Sequence, residues 1–127
     1  MSVIKTDRAP DAVGPYSQGR IAGGRIVTAG QIGLDPETSE MVNDSVKAEA
    51  RRALRNILAI VEAGGGTPGS IVKTTAYITD LGYYGPINEL YEDLFSKPYP
   101  ARSVIGVDAL PKEARVEIEA EAVPAEA

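Results

Sequence analysis

The sequence predicts an α+β fold in which a mixed β-sheet carries two helices on one face. Three observations carry that expectation. Stretches of β-branched residues alternate with two stretches of helical apolar spacing, in the order strand, strand, helix, strand, helix, strand, strand. A glycine pair, Gly23-Gly24, joins the first two strands as a two-residue hairpin, because such turns need positive φ. The strand-helix-strand successions call for right-handed crossovers, which set both helices on the same side of the sheet.

The elements follow in order. "GRIAGGRIVTAGQIGL" supplies two apolar runs on either side of the glycine pair, with room for one more strand before them at the N-terminus. In "NDSVKAEARRALRNILAIVEAGGG", Val46, Ala50, Ala53, Leu54, Ile57, Leu58 and Val61 recur at helical spacing; Asp44 or Ser45 is the cap and Gly64 the stop. Arg51, Arg52 and Arg55 fall on that helix's solvated side. "SIVKTTAYITD" is β-branched and reads as a strand. Pro86 suits the first turn of a second helix, whose apolar side is Ile87, Leu90, Tyr91, Leu94 and Phe95, and Pro98 ends it. Arg102 to Val107 and Arg115 to Val123 are the closing strands, and the tail "VPAEA" is expected to fray.

Two helices cover one face of such a sheet and leave the other bare. Because "RIVTAGQIGL" and "RSVIGV" carry apolar residues at both parities, that second face is expected to be buried against other copies of the chain. No linker, repeat or low-complexity tract divides the 127 residues, so one domain over 1–127 is expected.

Composition then narrows the chemistry. The chain has no cysteine and no histidine, which removes thiolate nucleophiles, the usual zinc ligands and the usual neutral-pH base. Carboxylates, tyrosines, arginines, hydroxyls and the main chain remain. A formal charge of −5 disfavours nucleic acid as a partner. The opening "MSVIKTDRAPD" has no leader-like apolar core and no apolar run approaches a membrane span, so a soluble, cytoplasmic protein is expected.

Four stretches hold candidate site residues. "YPARSVIGV" sets Arg102 where an apolar strand begins, and a guanidinium is costly to desolvate without an anionic partner. "RVEIEAEAV" alternates strictly, so Glu117, Glu119 and Glu121 share one face. A hairpin pairing Val107 with Arg115 would put Arg102 opposite Ala120, away from Glu117. Any joint site then needs non-neighbouring strands, a bulge or two subunits. "GPYSQG" holds Tyr16 in a tight loop. "TAGQIG" carries two glycines of the kind that mark a bulge or a close backbone approach, without the lysine of a phosphate loop.

Together with "IVKTTAYITDL" and "LPKEARVEIEAEAV", these stretches stand in the order seen in the RidA (YjgF) family of reactive-intermediate deaminases, which the chain resembles over essentially its whole length. The resemblance implies a chorismate-mutase-like sheet with two helices on one face, assembled as a homotrimer with active sites in the clefts between subunits. It implies hydrolysis of 2-imino acids to 2-oxo acids and ammonia, without metal or cofactor. By the same resemblance, Arg102 holds the substrate carboxylate, Glu117 activates water or relays a proton, and Tyr16 closes the pocket. Gly30 and Gln31 (main chain), Asn88 (side chain) and Val104 (carbonyl) line the rest. Many members carry cysteine at the position of Val104 and serine or threonine at that of Ala29. The lost hydroxyl at Ala29 removes one hydrogen bond, about 1 kcal/mol net. A binding module or holdase on the same fold is the alternative class. A ribonuclease is disfavoured by the missing histidine and the negative charge.

Overall fold

The computed structural model describes residues 2–125. Its elements are β1 (Val3–Ile4), β2 (Gly19–Ala22), β3 (Arg25–Thr28), β4 (Gln31–Ile32), α1 (Val46–Ala63), β5 (Ile71–Ile78), α2 (Tyr84–Leu94), β6 (Ala101–Gly106) and β7 (Val116–Ala122). All strands belong to one mixed sheet of order β1-β2-β3-β7-β5-β6, with β4 also paired to β7. Only β5 and β6 run parallel, joined by the α2 crossover. The expected α+β class is what the structure shows, and the expected element order holds except that the two-residue strand β4 is added between β3 and α1.

Local chemistry explains the elements. Gly23 and Gly24 both take positive φ, 57° and 73°, and close the β2–β3 hairpin. Ser45, not Asp44, caps α1, its hydroxyl accepting from the Ala48 amide at 3.0 Å. At the other end the Gly64 amide returns to the Ile60 carbonyl, and Gly65 takes the left-handed conformation at φ 92°.

The core lies between the helices and one sheet face. Leu54, Ile57 and Ile60 of α1 and Ile87 and Leu90 of α2 meet Ile26, Ala76, Ile78, Val116 and Ile118 of the strands, all fully buried. Each such branched side chain contributes roughly 1.5–3 kcal/mol through burial.

In four places the structure decides what the sequence left open or departs from its expectation. β6 and β7 are not a hairpin, because β5 lies between them; the parallel β5–β6 pairing is available only because α2 spans the crossover. The uncovered face is less apolar than two strands implied: Val27 and Ile105 are exposed there, but β7 and β5 add Glu117, Glu119, Glu121, Lys73 and Thr75. Of the three α1 arginines only Arg55 is exposed; Arg52 is part-buried, donating to Asn56 Oδ1 at 2.9 Å, with its Nε buried and unpaired. The tail is tied down as far as Ala125, whose amide donates to the Gly65 carbonyl at 2.8 Å, while the fraying expected of residues 126–127 lies outside the described residues.

Candidate active site

The second glycine-rich stretch sets up one half of the site. β3 pairs with β7 through Val27 and Glu121, and β4 resumes the pairing at Gln31 and Ile118, so one extra residue bulges out on the β3–β4 side. Thr28 fills the gap, its hydroxyl accepting from the Ala120 amide at 3.0 Å. The bulge brings the Gly30 backbone onto Glu117, and a Cβ built at Gly30 would collide with that carboxylate. Glycine is required there by close approach, as its place in the sequence suggested.

Glu117 sits half-buried on the uncovered sheet face, opposite Ile32 on one side and Tyr77 on the other. It forms no ion pair among the described residues. Burial first, and the neighbouring Glu119 charge second, push its carboxyl above the ordinary carboxylate value. Tyr16, Gly30, Gln31 and Glu117 share a cavity of about 380 Å³ with Asp11, Val13 and Lys112. Gln18 holds the loop bearing Tyr16, accepting from the Thr6 amide and donating to the Thr6, Ala9 and Pro10 carbonyls. Its position inside "GPYSQG" gave no sign of that role; four bonds from one buried amide side chain are a tertiary feature.

Arg102 lies elsewhere. Its register partner Thr74 also pairs with Ala120, which places Arg102 on the helix side of the sheet and Glu117 on the other. There Arg102 faces the stripe Tyr84, Asn88 and Tyr91 of α2, spaced four and three apart on one helix face. Its Nη2 donates to Asn88 Oδ1 at 2.7 Å and to the Tyr84 hydroxyl at 3.2 Å. The guanidinium carbon is 5.2 Å from the Tyr84 ring centre and 4.9 Å from that of Tyr91. Tyr91 in turn is fixed by a 2.7 Å hydrogen bond with Thr74. Asn88, Tyr91, Tyr99 and Arg102 line a second cavity, of about 350 Å³. Val104 packs its side chain on the core. Because the Val107 amide points inward to the Ile78 carbonyl, the main chain of Val104, at the other parity of β6, points to the open sheet edge.

The predicted residues therefore gather in two groups. Tyr16, Gly30, Gln31 and Glu117 form one, and Arg102, Asn88 and Val104 the other; Arg102 and Glu117 line separate cavities on opposite faces of the sheet. Among the described residues no cluster of carboxylates could hold a metal ion. No helix among them is long and apolar enough to cross a membrane.

What the geometry defines is a small α+β protein with an edge-strand guanidinium and, on the other face of its sheet, a carboxylate with no cation among the described residues. The family model described as Endoribonuclease L-PSP matches residues 6–124. A Salmonella typhimurium protein named 2-iminobutanoate/2-iminopropanoate deaminase is 46% identical, covering 94% of this chain and 95% of its own length. A Homo sapiens protein of the same name is 42% identical, with 95% and 88% covered. The crystal structure of E. coli TdcF with bound serine superposes with a TM-score of 0.93 at 44% identity, over 98% of this chain and all of that one. The chain belongs to the Endoribonuclease L-PSP family, the RidA (YjgF) group that its motifs resemble.

Proposed function

We propose that this chain hydrolyses 2-imino acids of the 2-iminopropanoate and 2-iminobutanoate class to 2-oxo acids and ammonia, at a site completed between two copies. The observation that carries the reading is the division of the site over two faces of one sheet. Arg102 is a cation with no carboxylate partner among the described residues, and Glu117 is a carboxylate with no cation. Each half is what the other lacks. A ring of copies, such as a homotrimer, sets the Arg102 edge of one copy against the Glu117 cavity of the next through heterologous contacts. The exposed Val27 and Ile105 of the uncovered face give such contacts apolar anchors.

In that cleft Arg102 binds the substrate carboxylate and so fixes the imine carbon. Glu117 takes a proton from water as the water oxygen attacks that carbon, and the C=N double bond becomes a single bond. That proton passes to nitrogen to give a carbinolamine; Glu117 then carries the remaining hydroxyl proton to the same nitrogen, the C–N bond breaks, and ammonia leaves as the carbonyl forms. A carboxyl titrating above its ordinary range is the better match to a base working near neutrality. Tyr16 and the Gly30 and Gln31 main chain bound the water's side; Asn88 steadies Arg102, and the open Val104 carbonyl can accept from the amine. The serine held by E. coli TdcF, an amino acid with one α-carboxylate, supports a small-carboxylate site. A cytoplasmic, cofactor-free homotrimer acting on a small metabolite is the form of the proposal.

The test couples an amino-acid oxidase that generates 2-iminobutanoate to semicarbazide, which traps imine that persists. Wild type is expected to suppress the semicarbazone signal and Arg102→Ala to restore it. No suppression by wild type with any imino acid would overturn the deaminase reading and leave a binding module.

A further inference from the structure

We propose that Tyr84 is a second carboxylate-binding group of this site, its hydroxyl donating to the substrate carboxylate beside Arg102. The inference rests on the deaminase reading and adds a residue that the sequence motifs leave out. Three features of the geometry carry it.

First, Arg102 spends one nitrogen twice. Both the 2.7 Å bond to Asn88 and the 3.2 Å bond to Tyr84 come from Nη2, while Nε and Nη1 have no partner among the described residues. Either two-point pairing with a carboxylate, end-on or side-on, uses an Nη2 hydrogen. A bidentate substrate must therefore displace one of the two bonds, and the longer one, to Tyr84, is the weaker.

Second, the Tyr84 oxygen accepts from Arg102, and its own hydrogen has no acceptor among the described residues. A carboxylate that takes over the Nη2 hydrogen arrives within reach of that hydroxyl, which turns from acceptor to donor. The substrate replaces one neutral acceptor with a charged one and gains a phenolic donor in the same step.

Third, Tyr84 is placed for it. It opens α2 one turn before Asn88, with 46% of its surface exposed, and its ring stands 5.2 Å from the guanidinium carbon. The ring steadies the cation before the substrate arrives, and an exposed hydroxyl costs little to redirect.

The test compares wild type, Tyr84→Phe and Tyr84→Leu in two assays: calorimetric binding of 2-oxobutanoate, and steady-state hydrolysis of 2-iminobutanoate. Tyr84→Phe keeps the ring and removes the donor, so its dissociation constant for 2-oxobutanoate and its KM are expected to rise roughly tenfold, as for a hydrogen bond to a charged group, with kcat within about twofold. Tyr84→Leu also removes the ring and is expected to bind more weakly still. If wild type binds and turns over while Tyr84→Phe matches it in both assays, the Tyr84 role is overturned and the deaminase reading stands. If wild type neither binds 2-oxobutanoate nor hydrolyses the imine, both fall together.

Discussion

Two glutamates flank the same short segment and meet opposite fates. Glu49 points from α1 into the covered side of the sheet, 1% exposed, and both of its oxygens are used: Oε1 accepts from Arg115 Nε at 2.8 Å and Oε2 from the Arg115 amide at 2.6 Å. Glu117 points from β7 to the uncovered side and pairs with no cation among the described residues. The glycines of "TAGQIG" accommodate one each: a Cβ at Gly33 would stand 2.6 Å from the Glu49 carbonyl oxygen, and a Cβ at Gly30 would strike the Glu117 carboxylate. A buried charge with every acceptor filled fixes a fold, here by pinning the entry to β7 two residues before Glu117. A half-buried charge left without a cation is poised for a proton.

If that contrast is right, the two glutamates should respond oppositely to substitution. The largest effect is expected from Glu117→Gln, which should lower kcat for 2-iminobutanoate by roughly 10²–10⁴-fold, as loss of a general base does, while circular dichroism and thermal unfolding show an intact fold. Glu49→Ala should do the reverse. It strands Arg115 and its amide, and about 3 kcal/mol of unfolding free energy should disappear in urea titration, with turnover per folded molecule within a few fold of wild type. Gly30→Ala should fall between, costing some ten- to a hundredfold in rate by pushing the Glu117 carboxylate aside by about 1 Å.

The smallest effect concerns pH. Because Glu117 is raised in the folded state, the fold holds its proton more tightly than the unfolded chain does, so this group's stabilising contribution is present at acid pH and is lost as pH rises through the folded value. Glu117→Gln should therefore unfold at a slightly higher temperature than wild type at neutral pH, and the gap should close below pH ~4. In the proposed mechanism the ionised form is the base, so the acid limb of the wild-type kcat profile should lie above the ordinary carboxylate range. A limb at that ordinary value would contradict the environment assigned to Glu117.

Much of the molecule was legible because much of it is local. Ser45, Gly64, the Gly23-Gly24 turn and the two apolar helical stripes act within a few residues of themselves, and each stands where its spacing put it. Non-local choices were not legible. Nothing in "RSVIGV" or "RVEIEAEAV" says that β5 will come between them, yet the parity argument survives the correction. Arg102 and Ala120 share a row through Thr74, so the arginine and Glu117 are on opposite faces either way. The short strands β1 and β4 were too brief to carry a period. Tyr84, Asn88 and Tyr91 form a readable i, i+4, i+7 stripe, but Tyr91 also falls on the apolar side of α2 and Tyr84 precedes its apolar run, so spacing alone does not show that they face Arg102. Glu49 sits at a helix position where a carboxylate is ordinarily solvated, and only the return of Arg115 from the far end of the chain makes it structural.

The claim on which the rest depends is that Arg102 of one copy works with Glu117 of another. Arg102→Ala and Glu117→Gln, each inactive alone, should be unfolded together in equal amounts, refolded as a mixture and assayed with 2-iminobutanoate. Random assembly into rings restores both native residues at about a quarter of the clefts, so about a quarter of the wild-type rate is expected to return. A mixture that stays as inactive as its components would place both residues of each working site in one chain, and would contradict the divided site.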